Sequence, residues 1–152
     1  MPAMMEIERE SGTTAHWSQE QYENVFLSAT NGQGSQRFAW VVEDEAQQEG
    51  ALTAASQIYG FLVAHGVERD WELENMVVTE TARRRGFASL LLNELMAHAQ
   101  SQNGSVIFLE VRGSNQGARA LYERAGFKKD GLRKSYYSNP LEDAILYRLS
   151  LY

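Results

Sequence analysis

Between Trp71 and Gln102 the apolar pattern changes period once, and the change falls across a loop holding three consecutive arginines. Trp71 to Val78 reads as a strand. After Thr79-Glu80-Thr81-Ala82-Arg83-Arg84-Arg85-Gly86-Phe87, the residues Ala88, Leu91, Leu92, Leu95, Met96 and Ala99 recur at helical spacing, predicting a helix over about Ala88–Gln102. A strand that passes through a short basic loop into a helix brings free backbone N–H groups and the positive end of the helix dipole to one point, which makes an anion site. Gly86 lets the backbone approach a phosphate closely, and Ala88 is nearly as small. The same segment also reads as a solvated basic turn before an ordinary helix. Neither a Walker loop nor a dinucleotide fingerprint is present, because neither glycine spacing occurs.

The flanking segments set the fold class. Ser18, with Gln21 three residues on, forms a capping box, and Trp17 with Tyr22 forms a hydrophobic staple, so a helix starts there. Phe38–Val42 and Ile58–Ala64 read as strands, joined by a polar connection over 43–57 that is too long for a tight hairpin and reads as mobile. Val106–Leu109 is a continuous apolar run that predicts a strand covered on both faces. Ala118, Leu121, Tyr122 and Ala125 mark a helix face, closed by Gly126. Two last strands, around Arg133–Tyr137 and Ala144–Leu149, flank the turn Ser138-Asn139-Pro140. The order predicts an α/β (α+β) fold, a mixed central sheet flanked by helices, with 1–152 as one domain.

Composition narrows the chemistry. The 152 residues include no cysteine, which excludes disulfides, thiolate metal sites and a cysteine nucleophile. His16, His65 and His98 are far apart and form no ligand cluster, so no metal is expected. No apolar run approaches the ~20 residues needed to cross a bilayer, and the N-terminus lacks the pattern of a signal peptide. A cytoplasmic protein without membrane contact is the expectation. The net charge of −6 argues against direct nucleic-acid binding. That charge is unevenly spread: residues 1–76 hold 3 Lys/Arg against 13 Asp/Glu, and residues 77–152 hold 11 against 7. This is either scattered surface charge or an anion site in the second half with a cation-tolerant surface on the first.

A second segment carries chemistry, Leu109-Glu110-Val111-Arg112-Gly113-Ser114-Asn115 running into Gln116–Phe127. A carboxylate at the end of a mostly apolar strand is costly unless paired or exposed in a cleft. Glu110 is therefore either a strand-end salt bridge or a general base. Tyr122 lies on the apolar side of its helix and reads as a core residue when taken alone.

Together the two segments resemble the GNAT superfamily of N-acetyltransferases. Arg83-Arg84-Arg85-Gly86-Phe87-Ala88 resembles that superfamily's acyl-CoA pyrophosphate loop, R-x-x-G-x-A, and NQGARALYERAGF resembles its second hallmark, N-x-x-A-x-x-L-Y-x-x-x-G-F. The likeness runs from about Trp17 to Leu149 and is weakest over 43–57. Leu109–Asn115, Arg133–Tyr137 and Glu142–Ala144 are most similar to the bacterial RimI type, the ribosomal-protein-alanine N-acetyltransferases. Ala88 replaces the commoner last glycine of the loop, and Thr79-Glu80 stands where V-D-P is usual.

The resemblance implies acetyl-CoA as co-substrate. Its pantetheine arm would meet the backbone at Met76, Val77 and Val78, its pyrophosphate the loop Arg83, Arg84, Arg85, Gly86, Phe87, Ala88 and Ser89, and Asn115 would reach it from the other wall. Glu110 would act as general base, a backbone N–H near Val78 would stabilise the oxyanion, and Tyr122 would protonate the leaving thiolate. Without a cysteine, direct transfer is expected rather than an acyl-enzyme. The implied acceptor is a protein N-terminus, the alanine of the basic eighteenth small-subunit ribosomal protein, drawn by acidic residues around Glu72, Glu74 and 43–49. Another protein N-terminus, a polyamine or a small amine is the alternative acceptor, and a non-catalytic acyl-CoA sensor the alternative class. Tyr136 and Tyr137, adjacent on a strand, should point to opposite faces, one inward and one toward the acceptor. Arg133 and Lys134 are expected to meet solvent or cofactor.

Overall fold

The structure is a computed structural model that describes residues 2–11, 17–27, 34–44 and 57–152. Among the described residues the elements are α1 (Pro2–Glu10), α2 (Gln19–Leu27), β1 (Ser35–Asp44), β2 (Gln57–Val67), β3 (Asp70–Val78), α3 (Phe87–Ser101), β4 (Val106–Arg112), α4 (Gln116–Arg124), β5 (Lys128–Tyr137) and β6 (Glu142–Ser150), with a 3-10 turn at Glu80–Ala82. Six strands form one sheet in the order β1-β2-β3-β4-β6-β5. Only the β3–β4 pair is parallel, so the sheet is mixed as the sequence predicts.

Local rules explain most of these elements. Ser18 N–H donates to Gln21 Oε1 at 2.8 Å and Gln21 N–H to Ser18 Oγ at 3.3 Å, the reciprocal pair of a capping box. Trp17 and Tyr22 close the staple with ring centroids 5.3 Å apart. At the end of α4, Gly126 takes φ +100°. Phe127 N–H then reaches Tyr122 C=O at 3.0 Å and Gly126 N–H reaches Glu123 C=O at 3.1 Å, a Schellman ending that fixes the strand exit. The helix α1 is absent from the sequence-based expectation. It is one short amphipathic stretch whose inward residues are Met4, Ile7 and Glu8. The 43–57 connection is observed only at its ends, because 45–56 lie outside the described residues.

Two apolar layers sandwich the sheet. On one face α3 lays Leu91, Leu92, Leu95 and Ala99 over Leu62, Ala64, Trp71, Leu73, Ile107 and Tyr147. On the other face α1 and α2 place Met4, Ile7, Tyr22 and Val25 against Phe61, Val63 and Val77. Among the described residues this second layer covers β1–β3 and leaves the same face of β4, β6 and β5 open. Phe108 is accordingly exposed, so β4 is not covered on both faces as its apolar run suggested. The apolar sequence of β4 misleads because Phe108 forms the floor of a groove.

Candidate active site

Two features of β3 open the sheet. Its pairing with β2 shifts register, with Val63 opposite Asn75 and Ala64 opposite Leu73, leaving Glu74 as the extra residue of a bulge. The bulge reverses the alternation. Leu73 faces α3, whereas Asn75 and Val77 turn to the α1–α2 layer. Parallel pairing with β4 runs from Asp70–Val106 to Leu73–Leu109 and stops there. Beyond that point β3 stays bonded only to β2, and its other backbone edge faces a gap between the parted strands.

A cleft of about 700 Å³ fills the α3–α4 side of this gap. Met76, Val77, Val78, Arg83, Arg84, Gly86, Phe87, Ala88, Ser89 and Asn115, all named by the resemblance, line it. Gly86 sits at the N-cap of α3 with φ +85°, and no side chain caps that helix end. The first N–H groups of α3 are thus free for an anion. A Cβ at Gly86 would meet nothing within 4 Å, so the position opens onto the cleft itself. These observations fit a cofactor phosphate.

The three arginines divide their work. Arg84 lines the cleft. Arg83 lines it too and donates to Ser11 C=O at 3.5 Å. Arg85 turns away, with its guanidinium 5.2 Å from the Tyr59 ring and 4.9 Å from the Phe87 ring, so its side chain is not a phosphate ligand here. Tyr59 and Phe87 stack at 5.4 Å and hold it there. Sequence reasoning missed Ser11 and Arg124, which also border the cleft. Arg124 was legible in principle, since Gly117, Ala120, Leu121 and Arg124 follow one helical face. Asn115 both lines the cleft and caps α4, accepting from Ala118 N–H at 3.2 Å. The start of α4 is pinned further by Arg119, which donates to Gly113 C=O at 2.9 Å and to the Tyr147 hydroxyl at 3.2 Å.

A second cleft, about 370 Å³, lies on the open face of the sheet. Its wall includes His65, Glu72, Phe108, Glu110, Arg133 and Leu146. Glu110 sits just past the last parallel pair, where the strands part. It forms a salt bridge with Arg133 Nε at 3.1 Å, a partner the expectation of solvent or cofactor did not include. The Arg133 side chain is 54% exposed. An ion pair this open contributes ~0–1 kcal/mol, so breaking it costs little. The salt bridge and a role as base are therefore compatible. Glu74 is held by Arg37 through a two-pronged contact at 2.9–3.2 Å. Glu72, between these two ion pairs, has no cationic partner within salt-bridge range among the described residues. Burial first, then the charges of Glu74 and Glu110, raise its carboxyl above the ordinary range.

Tyr122 is 6% exposed and packs against Phe127 and Tyr147. Burial, then Tyr137, pushes its phenol well above the ordinary value, so it stays protonated at neutral pH. Tyr137 is half-buried, its phenol raised by burial first and then by Glu110. Arg112 lies 4.3 Å over its ring. Tyr136 is exposed, yet its ring centroid lies 5.1 Å from that of Tyr137. The two side chains therefore do not point to opposite faces. Ser135 takes φ +52° and the β5–β6 register shifts between Arg133 and Tyr137, which breaks the alternation that the prediction assumed.

His65 contacts Ser35 Oγ, and His98 packs among Phe38, Trp40 and Trp71. His16 lies outside the described residues. Among the described residues no group of three His, Cys, Asp or Glu is placed to hold a metal.

The site thus combines a parted β3–β4 pair, an uncapped glycine-led helix at one cleft and a carboxylate at the other. The acetyltransferase (GNAT) family model matches residues 1–127. The chain belongs to the GNAT family. GNAT proteins use acetyl-CoA as co-substrate, in keeping with the phosphate-ready cleft. The chain is similar to a Haemophilus influenzae protein named ribosomal protein bS18-alanine N-acetyltransferase, 38% identical over 89 residues, covering 59% of this chain and 60% of that protein. An Escherichia coli K12 protein of the same name is 30% identical over 127 residues, covering 78% of this chain and 86% of that protein. The crystal structure of the Escherichia coli ribosomal-protein-S18-alanine N-acetyltransferase aligns with a TM-score of 0.76 at 27% identity, covering 99% of this chain and 86% of that one. The GNAT fold expected from the two motifs is the fold observed.

Proposed function

We propose that this GNAT protein transfers the acetyl group of acetyl-CoA to the α-amino group of a protein N-terminus, with the alanine of ribosomal protein bS18 as its acceptor. The observation that carries the reading is the position of Glu110, on the open-face cleft where β3 and β4 part. The names of the relatives support the acceptor. Such an acceptor puts the reaction in the cytoplasm, with residues 1–152 acting as one domain.

An α-ammonium has a pKa near ~8, so at neutral pH most of it is protonated and cannot attack. Glu110, once its arginine is displaced, takes that proton directly or through a water. The bulged edge of β3 supplies a backbone N–H to the charge that develops on the thioester oxygen. Tyr122 gives its proton to the leaving thiolate. Burial makes the phenol a weak acid, but a thiolate left in the same dry surroundings is destabilised by the same desolvation. Arg83, Arg84 and Arg124 hold the phosphates, together with the N-terminal amides of α3.

On the acceptor side, Glu72 and Glu110 share the open face with the apolar floor of Phe108 and Leu146. Glu72, unlike Glu74 and Glu110, has no arginine of its own, so it offers a cation-binding position one or two residues beyond the acceptor amine. This suits a basic N-terminal segment. The test is a panel of acceptors with acetyl-CoA: an alanine-led basic peptide, an alanine-led acidic peptide and spermidine. Transfer to the basic peptide in preference to the acidic one supports the reading. Efficient transfer to spermidine with neither peptide modified overturns the acceptor assignment, and transfer to none of them overturns the activity.

A further inference from the structure

The α1–α2 layer buries a carboxylate that the chemistry above does not use. Glu8 is 2% exposed and has no cationic partner within salt-bridge range among the described residues. Three donors converge on it instead. Asn75 Nδ2 donates to its Oε1 at 2.8 Å, the Tyr22 hydroxyl to its Oε2 at 2.7 Å, and Trp17 N–H to the same oxygen at 3.2 Å. Asn75 itself is 4% exposed. A buried unpaired carboxylate is costly and persists only when its lone pairs are satisfied. An apolar residue at position 8 would suit this layer of Met4, Ile7, Tyr22, Val25, Phe61 and Val77 at least as well.

The site of the convergence is informative. Asn75 adjoins the extra residue of the β3 bulge and directly precedes Met76, the first β3 residue that lines the cleft. Its side chain faces the α1–α2 layer only because the bulge reverses the alternation. Anchoring Asn75 from below therefore holds the bulge in place. The five residues of β3 beyond the last β3–β4 pair, Glu74 to Val78, would otherwise be free to shift, since one edge of β3 has no strand partner there. A second tie runs from the same end of α1. Ser11 N–H and Oγ both donate to Glu8 C=O, and Ser11 C=O accepts from Arg83 of the phosphate loop.

We infer that Glu8 is a positioning residue, whose buried carboxylate fixes Asn75 and so sets the β3 edge from Met76 to Val78 that receives the acyl-CoA arm. The inference rests on the acetyl-CoA reading of that cleft and deepens it, by assigning the geometry of the cleft to a side chain on the opposite face of the sheet. A charged acceptor suits the task because it can take three strong hydrogen bonds at once, where a neutral amide takes fewer and must donate as well.

The experiment compares Asn75→Ala, Asn75→Asp, Tyr22→Phe and the double variant Glu8→Gln/Asn75→Asp with the wild type. Acetyl-CoA affinity is read by calorimetry and folding by thermal unfolding. Asn75→Ala should weaken acetyl-CoA at least tenfold, and Asn75→Asp more, by setting two carboxylates face to face. The double variant exchanges donor and acceptor at unchanged net charge and should recover affinity to within about threefold of wild type. Tyr22→Phe removes one donor but leaves the Glu8–Asn75 bond, so it should lower the melting temperature while changing affinity by less than twofold. If Asn75→Asp does not fold alone, Asn75→Ala and the double variant carry the comparison. Wild-type affinity in Asn75→Ala overturns the inference. So does a double variant no better than Asn75→Ala, or a Tyr22→Phe variant that loses affinity in step with its stability. Calorimetry needs no turnover, so a wild type that binds acetyl-CoA without acetylating any amine refutes the proposed reaction and leaves this inference testable.

Discussion

Replacing Gly86 by alanine separates what the phosphate loop does for binding from what it does for folding. Gly86 holds φ +85°, and an added Cβ meets no atom within 4 Å, so the fold itself has room for the methyl group. The stability cost is then the left-handed backbone strain alone, about 1–2 kcal/mol for a residue with a Cβ. For a chain of this size that lowers the melting temperature by roughly 2–8 °C. The methyl group does point into the space where a phosphate would approach the amides of α3. Loss of one hydrogen bond to a charged group costs about 1.5–3 kcal/mol, a roughly 10- to 150-fold weaker acetyl-CoA. Titration calorimetry gives the affinity, and differential scanning calorimetry without ligand gives the stability. A variant that binds acetyl-CoA like the wild type would refute the loop assignment. One that melts far below the expected window would show that Gly86 serves the fold instead.

Three further outcomes follow from the same geometry. Tyr122→Phe should lower turnover by roughly 10²–10⁴-fold, the usual contribution of a positioned acid or base, with little change in acetyl-CoA affinity; unaltered turnover would leave Tyr122 as a core residue. Glu72→Gln should raise KM for a basic acceptor peptide by about 1.5- to 5-fold, the range of an exposed ion pair, and the difference should shrink with added salt. Because the Glu72 carboxyl is raised by burial and by its acidic neighbours, it is neutral below its shifted pKa and charged above it. KM for the basic peptide should therefore fall as pH rises through a point above the ordinary carboxylate value of ~4.3, and Glu72→Gln should lack that step. Gly104→Ala would place a Cβ 2.7 Å from Ala99 C=O and 2.8 Å from the Trp71 ring. Such overpacking costs about 1–3 kcal/mol, read as a lower melting temperature with acetyl-CoA affinity preserved in the folded protein.

Residues whose role is decided by near neighbours in the chain were legible in advance. Ser18 with Gln21, Gly126 after α4, and Gly86 before α3 each act within a turn or two, and the structure places each as its local chemistry requires. The residues that line the larger cleft were legible for the same reason, since the loop before α3 and the start of α4 are contiguous segments. Long-range features were not. Arg133 reaches Glu110 across β6, from a strand that begins eighteen residues further along the chain, and nothing local to either residue announces the pair. The bulge at Glu74 is equally silent, because it depends on how β2 and β3 pair. Asn75 and Glu8 in consequence carry no signal in the sequence, since their contact depends on that bulge and on a helix 67 residues away in the chain. Which of the three adjacent arginines would turn its side chain away from the loop was not legible either, because Tyr59, from another strand, captures that of Arg85. Tyr136 and Tyr137 failed for a related reason: strand alternation presumes a regular strand, and Ser135 interrupts it.

The central claim is that Glu110 is the base for acetyl transfer to an N-terminal amine. Its most direct test is the rate of transfer from acetyl-CoA to an alanine-led basic peptide by the wild type and by Glu110→Gln, at neutral pH and saturating acetyl-CoA. The substitution keeps size and polarity and removes the capacity to accept the proton. The predicted result is a rate lower by roughly 10²–10⁴-fold with acetyl-CoA affinity unchanged. A Glu110→Gln variant that acetylates the peptide at the wild-type rate would contradict the claim and leave Glu110 as the salt-bridge partner of Arg133.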